Sequence, residues 1–416
     1  MKRSAEQIRH LARSIRGEIF ADRRNLHQIP EVGTDLPKTS AYIKSRLDEM
    51  GIPWRDCGGP LPKQLAADYK EAGFLRMERE TGVTALIGQG SPCILLRADM
   101  DALPIREEND LSCRADGEWS HMCGHDGHMA MLLGAARILK SMEPELKGSV
   151  KLMFQPGEET GAGARMMIRD GVLKEPRVDA AFAMHLQPTA ETGTVGFSSG
   201  VNSASLDSFI LKIHGKGGHS SQPQLCVDPI LVMNQVYQAL NLLASRETDP
   251  AAMVTLTCGV AKGGTAVNII PSEAELHIGM RTLDVDACTH MSRRIPEIID
   301  HYVKAWGAEY SLVHFHTPCT FSDDALCRRL LPCIQEIAGA DRVRAVPPMT
   351  ATEDFGYVTE QVPGMFLFLG AGKPGNPPLH SPRMVLDEEA LPLGAALYAG
   401  AAAGWLEETA QEASPA

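Results

Sequence analysis

An α/β fold with a mixed, mostly parallel sheet, carrying an inserted α+β domain, is what this sequence predicts, and three observations lead there. The 416 residues exceed what a single hydrophobic core usually serves, so two domains are expected. From Val83 onward, short apolar runs alternate with segments of helical period, the pattern of a sheet whose strands are linked by crossover helices. Between about 199 and 316 the order changes to strand, helix, two strands, helix, strand, a βαββαβ (ferredoxin-like) order that suits a separate two-layer unit. The expected boundaries are therefore 1–198 and 317–416 for the host and 199–316 for the insert.

Each element has its own warrant. Ile8, Leu11, Ile15 and Ile19 share one face over 5–20 and predict a surface helix; Tyr42, Ile43, Leu47 and Met50 predict another that stops at Gly51. Residues 58–82 are polar, with a short helix expected within 65–80 and no chemistry assigned. The runs 84–88 and 93–97 read as buried strands, and the second leads straight into Asp99-Met100-Asp101. Met129, Leu132, Leu133, Ala136 and Leu139 carry a helix, and 150–154 is a strand that ends at Gln155-Pro156-Gly157-Glu158-Glu159. A helix over 164–168 closes at Gly171, and the strand 178–184 ends at His185. Successive strands thus deliver polar side chains at their carboxyl ends, where open α/β sheets place their sites. In the insert, strands are expected over 206–214, 253–260, 274–280 and 310–315, with helices over 229–244 and 288–305. The host resumes with a helix over 324–337, a strand over 365–369 and a terminal helix from Glu388, while 411–416 read as frayed.

Composition narrows the function. A net charge of -12 without any basic run argues against nucleic acid or an anionic membrane surface as partner, and no apolar run is long enough to span a bilayer. A small-molecule partner is the expectation. Ten cysteines without paired short spacing, and an amino terminus lacking the apolar core of a signal peptide, predict free thiols in a cytoplasmic setting.

The chemistry concentrates in Ser120-His121-Met122-Cys123-Gly124-His125-Asp126-Gly127-His128. Three imidazoles, a thiol and a carboxylate within nine residues exceed what a helix cap requires, and they read as half of a metal site in the turn before an amphipathic helix. The pair Glu158-Glu159 is the second signal, because adjacent buried carboxylates need a cation or a shared proton. If Glu159 ligates a metal, Glu158 is left to move a proton as general base. His185 and His380 alone would each be packed histidines; their positions at predicted strand ends favour ligation.

Arg97-Ala98-Asp99-Met100-Asp101-Ala102-Leu103-Pro104, the Cys/His segment, Phe154-Gln155-Pro156-Gly157-Glu158-Glu159, His185, Gly217-Gly218-His219, Asn268-Ile269-Ile270-Pro271 and Leu379-His380 together resemble the motif series of a family of metal-dependent amidohydrolases related to metallopeptidases. It includes N-acyl-amino-acid amidohydrolases, hippurate hydrolase, aminobenzoyl-glutamate hydrolase and the plant auxin-conjugate hydrolases, with aminoacylase and carboxypeptidase G more distant. The resemblance runs in order over nearly the whole chain. It implies a zinc-exopeptidase-like catalytic domain with an inserted lid, and a homodimer or higher homo-oligomer formed through that lid. It further implies two divalent metal ions per subunit (zinc, manganese, cobalt or nickel), with Cys123 bridging and His125, Glu159, His185 and His380 completing the set. Glu158 is implied as general base, His219 as oxyanion stabiliser of its own or a partner subunit, and Asn268 and Arg281 as binders of the substrate carboxylate. For Arg281 a surface ion pair is the competing reading. Asp99 and Asp101 fall to supporting or weak ligand roles, and Asp126 and His121 to orienting ligands. The reaction implied is attack of a metal-activated water on the amide of an N-acyl or aryl-acyl amino acid, with a dipeptidase or carboxypeptidase as the alternative on the same site.

Two departures stand out: 58–82 is longer than the family's usual link, and Gly157 occupies a position where Ala is common before the Glu pair. Rival chemistries are weaker. Gly196-Phe197-Ser198-Ser199-Gly200 has the spacing of a serine-hydrolase elbow but is followed by a strand-like run instead of a helix. A catalytic Cys123 would leave the Glu pair and two distant histidines unexplained.

Overall fold

The computed structural model describes residues 4–412, so of the segment expected to fray, 413–416 lie outside the described residues while 411 and 412 are helical. The chain forms two units, one comprising residues 1–202, 321–347 and 354–416, the other 203–320 and 348–353.

The first unit is built on an eight-stranded sheet. In chain order its strands are β1 (Trp54–Cys57), β2 (Gly82–Gly88), β3 (Cys93–Asp99), β4 (Ser149–Gln155), β5 (Ala180–Glu191), β6 (Val195–Phe197), β7 (Val343–Ala345) and β8 (Gly364–Gly372). They lie side by side as β1-β2-β4-β3-β5-β8-β6-β7. The central four, β4, β3, β5 and β8, are mutually parallel, and β1, β2 and β6 pair antiparallel with their inner neighbours. Every residue of β3 and β4 is buried, which is why their sequences are apolar runs without alternation. Helices α1 (Arg16–His27), α2 (His125–Ser141) and α3 (Leu391–Glu412) share one core with the sheet, through Ile19, Leu26, Leu132, Leu133, Phe182 and Tyr398 among others.

Three local expectations are corrected. The helix foreseen over 5–20 is two helices, Ala5–Ser14 and Arg16–His27, because Ile15 departs from helical dihedrals at φ -102° and ψ 16°. Within 58–82 the helix is confined to Lys63–Glu71, and the turn at Gly73, with φ +89°, sends the chain back as loop. His185 does not end its strand. β3 pairs with β5 only along 180–183, whereas β5 continues beside β8 to Glu191, so His185 lies in mid-strand just beyond the lip of its shorter neighbour.

The second unit is an antiparallel four-stranded sheet in the order Val254–Gly263, Glu273–Thr282, Ser205–His214, Glu309–Thr317. Two helices, Pro229–Arg246 and Val285–Ala305, pack with it around Phe209, Leu211, Leu240, Ile278, Met291 and Ile295. Along Glu273–Thr282 burial alternates residue by residue, as a sheet with one covered face requires. The element order is the βαββαβ read from the sequence.

No helix among the described residues is long and apolar enough to cross a membrane, and all ten cysteines are free thiols.

Candidate metal centre

The carboxyl ends of β3 and β4, the middle of β5 and the turn after β8 bring one set of polar side chains together. Beyond β3, the Asp101 carboxylate accepts hydrogen bonds from the backbone N–H of Glu158 and of Glu159, each at 3.0 Å. Both its oxygens are thus spent on bracing the turn that presents the glutamates. That turn is possible because Gly157 sits at φ +70° with a Cβ position 2.6 Å from the Thr34 methyl, so glycine answers a steric demand there and alanine would be strained. Gly163 closes the same turn, a Cβ on it falling 1.6 Å from the Pro156 carbonyl oxygen.

Three groups of donors form around Cys123. Its thiol, His125 and His185 offer ligand atoms all within 4.8 Å of one another, as do Cys123, Glu159 and His380, and as do His125, Glu158 and Glu159. Cys123 Sγ lies 3.5 Å from His185 Nε2, and His380 Nε2 lies 3.3 Å from Glu159 Oε1. His125 Nε2 stands 3.9 Å from a carboxylate oxygen of each glutamate. The histidines are oriented by their far nitrogens: His125 Nδ1 donates to the Asp101 carbonyl and His185 Nδ1 to the Leu186 carbonyl, both at 2.8 Å. That arrangement turns each Nε2 lone pair inward, the tautomer a metal-ligating histidine carries. His125 Nε2 and Glu159 Oε1 are buried without a hydrogen bond among the described residues. His380 is held at φ +64°, a left-handed backbone that only a well-supported side chain position sustains, and its N–H donates to the Met122 carbonyl at 2.8 Å.

The electrostatics of this cluster call for a cation. Burial, with Glu159, Glu158 and Asp99 nearby, pushes the Cys123 thiol well above its ordinary value, the opposite of what an activated cysteine nucleophile needs. Burial also opposes charge on His125, yet Asp99, Asp101 and Glu159 outweigh it and raise the imidazole to about 10. Burial, reinforced by His128, keeps His185 neutral. Glu159 is held below its ordinary value by His380 and His125 despite burial. A divalent ion would take over the role of these protons, and a set of one thiolate, three imidazoles and a carboxylate suits zinc and its neighbours in the transition series.

Other named residues lie outside these three groups. Asp99 accepts from His128 Nδ1 at 2.5 Å and from Arg97 at 2.7 Å, and lies 3.7 Å from His125 Nε2. His128 is occupied at both ends, since its Nε2 accepts from the Leu186 N–H at 2.9 Å. Asp126 turns beneath α2 to meet Arg23 Nε and His27 Nδ1, both at 2.8 Å. His121 is buried without a hydrogen bond among the described residues, and burial pushes it down to about 3, so it is neutral. In the second unit, His219 pairs with Ile269 across a short two-stranded ladder, next to Asn268, whose carbonyl accepts from the Ser220 N–H at 3.1 Å. His219 is exposed, its Nδ1 2.8 Å from the Ser221 hydroxyl. Arg281 is half-buried and donates to Thr352 Oγ1 at 2.5 Å, and among the described residues it has no ion pair with a carboxylate of the kind considered from sequence. Ser198, the centre of the elbow-like motif, donates to the Val346 carbonyl at 2.6 Å and is followed by a strand, Gly200–Ser203.

Sequence reasoning passed over two buried networks beneath the cluster. Arg97, 1% exposed, donates to Gln155, Asp99 and Asp354, and Asp354 also accepts from Gln155 and from the Ala164 N–H. His27 joins Asp126 to Glu107. An arginine inside an apolar strand was the available signal for the first, because a buried guanidinium needs a carboxylate; nothing local marked Asp354 as that partner.

Comparison with known proteins agrees with this geometry. The family described as peptidase family M20/M25/M40 matches residues 95–404. IAA-amino acid hydrolase ILR1-like 4 of Arabidopsis thaliana is 34% identical over 397 residues, covering 93% of this chain and 85% of that protein. N-acetyl-L-cysteine deacetylase of Bacillus subtilis (strain 168) is 35% identical over 380 residues, covering 90% and 85%. The crystal structure of the Bacillus subtilis YXEP protein, described as a dinuclear metal-binding peptidase from the M20 family, superposes with a TM-score of 0.73 at 30% identity, covering 95% of this chain and 99% of that one. The chain belongs to the peptidase family M20/M25/M40 and is a metal-dependent hydrolase of amide bonds.

Proposed function

We propose that this enzyme hydrolyses the amide bond of N-acyl or aryl-acyl amino acids, releasing a carboxylic acid and a free amino acid. The observation that carries the reading is the convergence of Cys123, His125, Glu158, Glu159, His185 and His380 on one cluster whose buried His125 Nε2 and Glu159 Oε1 lack hydrogen bonds among the described residues. The names of the relatives, an IAA-amino acid hydrolase and an N-acetyl-L-cysteine deacetylase, support an acyl amino acid as substrate class.

Cys123, His125, Glu159, His185 and His380 would hold two divalent ions, of zinc, manganese, cobalt or nickel, which would supply Lewis-acid polarisation of the amide carbonyl and a lowered pKa for water. Glu158, whose backbone N–H donates to Asp101, uses its carboxylate to remove the proton of the attacking water and pass it to the leaving amine. His219 donates to the developing oxyanion, and Asn268 and Arg281 bind the substrate carboxylate. Asp99 beside His125 and Asp101 under the Glu158-Glu159 turn hold these groups in place, while Asp126 braces the start of α2 through Arg23 and His27. Exposed Leu231, Tyr237 and Leu242 on the helix Pro229–Arg246 support a lid that also joins subunits into a homodimer, and ten free thiols support a cytoplasmic setting.

The test is product release by mass spectrometry from a panel of N-acyl amino acids and dipeptides, with protein loaded separately with zinc, manganese or cobalt and a chelated control. Chelator-sensitive release from acyl substrates is expected. Cleavage confined to dipeptides would move the assignment to peptidase, the class named for the YXEP protein; activity that survives complete metal removal would end the proposed mechanism.

A further inference from the structure

A second collection of ligating side chains lies wholly within the second unit. Asp207, fully buried on Ser205–His214, faces two histidines of the neighbouring edge strand Glu309–Thr317, where His316 is its direct partner and His314 sits two residues away on the same face. His314 Nε2 lies 2.6 Å and His316 Nδ1 3.0 Å from Asp207 Oδ1. From the opposite side, the first turns of the helix Val285–Ala305 bring Cys288 and Ser292, one turn apart, with Cys288 Sγ 3.4 Å from Oδ2 and Ser292 Oγ 2.9 Å from Oδ1. The ring of His314 is fixed by stacking on Phe209, with centroids 4.1 Å apart and planes 12° from parallel.

An ion pair between a buried aspartate and its histidines would account for the two imidazoles. The Cys288 thiol adds a sulfur donor on the second carboxylate oxygen, so nitrogen, oxygen and sulfur groups meet at one buried carboxylate. Sulfur, oxygen and nitrogen donors drawn from two strands and a helix terminus onto one point are what a borderline divalent ion selects. The ligand atoms of Asp207, Cys288 and His316 lie within 4.8 Å of one another. Tetrahedral zinc, with bonds of about 2.0–2.3 Å, sets its ligands roughly 3.3–3.8 Å apart, so the donors need shift by only a fraction of an ångström to about one ångström. Burial and the adjacent Asp207 push the Cys288 thiol up to about 12, so it keeps its proton until an ion displaces it.

We propose that Asp207, Cys288 and His316, with His314 as fourth donor, form a structural zinc-type site that fastens the edge strand Glu309–Thr317 to the head of the helix Val285–Ala305. This site is separate from the cluster around Cys123 and does not rest on the proposed reaction.

The experiment measures zinc bound per chain in full-length protein after zinc loading and buffer exchange. Cys288→Ala and His316→Gln are each expected to hold one equivalent less than the wild type while amide hydrolysis is kept. His316 is 38% exposed on an edge strand, so its variant remains informative if Cys288→Ala folds poorly. As a second readout, Cys123→Ser protein titrated with cobalt should show thiolate-to-cobalt charge-transfer absorption that disappears in Cys123→Ser/Cys288→Ala. Equal zinc content in wild type and His316→Gln, or absence of the absorption band from Cys123→Ser, overturns the site.

Discussion

Arg97→Met isolates the contribution of the buried charge network under the metal cluster. The Arg97 guanidinium spans two fully buried carboxylates, 2.7 Å from Asp99 and 2.9 Å from Asp354, and its Nε donates to Gln155 at 2.9 Å. Methionine keeps most of the stem's volume but takes the cation from both carboxylates, leaving Asp99 with His128 and Asp354 with Gln155 and the Ala164 N–H. Removing one partner from a buried ion pair costs about 3–5 kcal/mol, so the ratio of folded to unfolded protein should fall by roughly two to three and a half orders of magnitude. Arg97→Lys keeps the charge and loses the planar fork, and should fall between wild type and Arg97→Met. Denaturant unfolding of chelated protein is the suitable assay, since it removes the contribution of metal binding; the midpoint should drop without a change in slope. If Arg97→Met lies within about 0.5 kcal/mol of wild type, as an ordinary surface substitution does, the two carboxylates do not depend on this guanidinium and the reasoning fails.

Further predictions follow from the same geometry. Glu158→Ala should keep its full metal content while turnover falls by about 10²–10⁴-fold; an active variant with unchanged metal removes the proposed base. His27 is raised above its ordinary value because Asp126 and Glu107 outweigh the effect of burial, so its contribution to stability is complete below its unfolded pKa of about 6.5 and is lost as pH rises through the raised folded value. The stability gap between wild type and His27→Gln, followed by denaturation midpoint from pH 5 upward, should therefore narrow on the alkaline side; a gap that widens with pH refutes the charged bridge. In Gly163→Ala the new methyl meets the Pro156 carbonyl oxygen, a backbone atom, and should cost about 1–3 kcal/mol while shifting the turn that presents Glu158. Activity should fall by about 10²-fold with substrate in excess, and wild-type turnover in that variant would show that the turn tolerates the methyl.

What the sequence made legible was decided by the range of the interactions involved. The strands β3 and β4 were readable because burial on both faces leaves unbroken apolar runs, and the donor-rich turns after them stood out because their polar side chains lie close together in the chain. The second unit was readable from period alone. The break at Ile15 was missed because the apolar period continues across it, and His185 was misplaced because the length of β5 depends on β8, far away in sequence. Arg97 and Asp354 meet across 257 residues, and no local pattern announces such a pair. Gly157 was read as a departure until its positive φ and the adjacent Thr34 methyl gave it a steric reason.

The insertion of β8 between β5 and β6 also orders events during synthesis. While the ribosome makes the residues between Glu191 and Gly364, β5 presents one bare edge of the central sheet, and the donor that arrives last, His380, is anchored by its own backbone to Met122. At ordinary translation speed this interval is on the order of ten to thirty seconds, a window in which the nascent chain offers a strand to any neighbour able to pair with it. A chain released before His380 would be both adhesive and inert, because the metal cluster is complete only once that residue has been made.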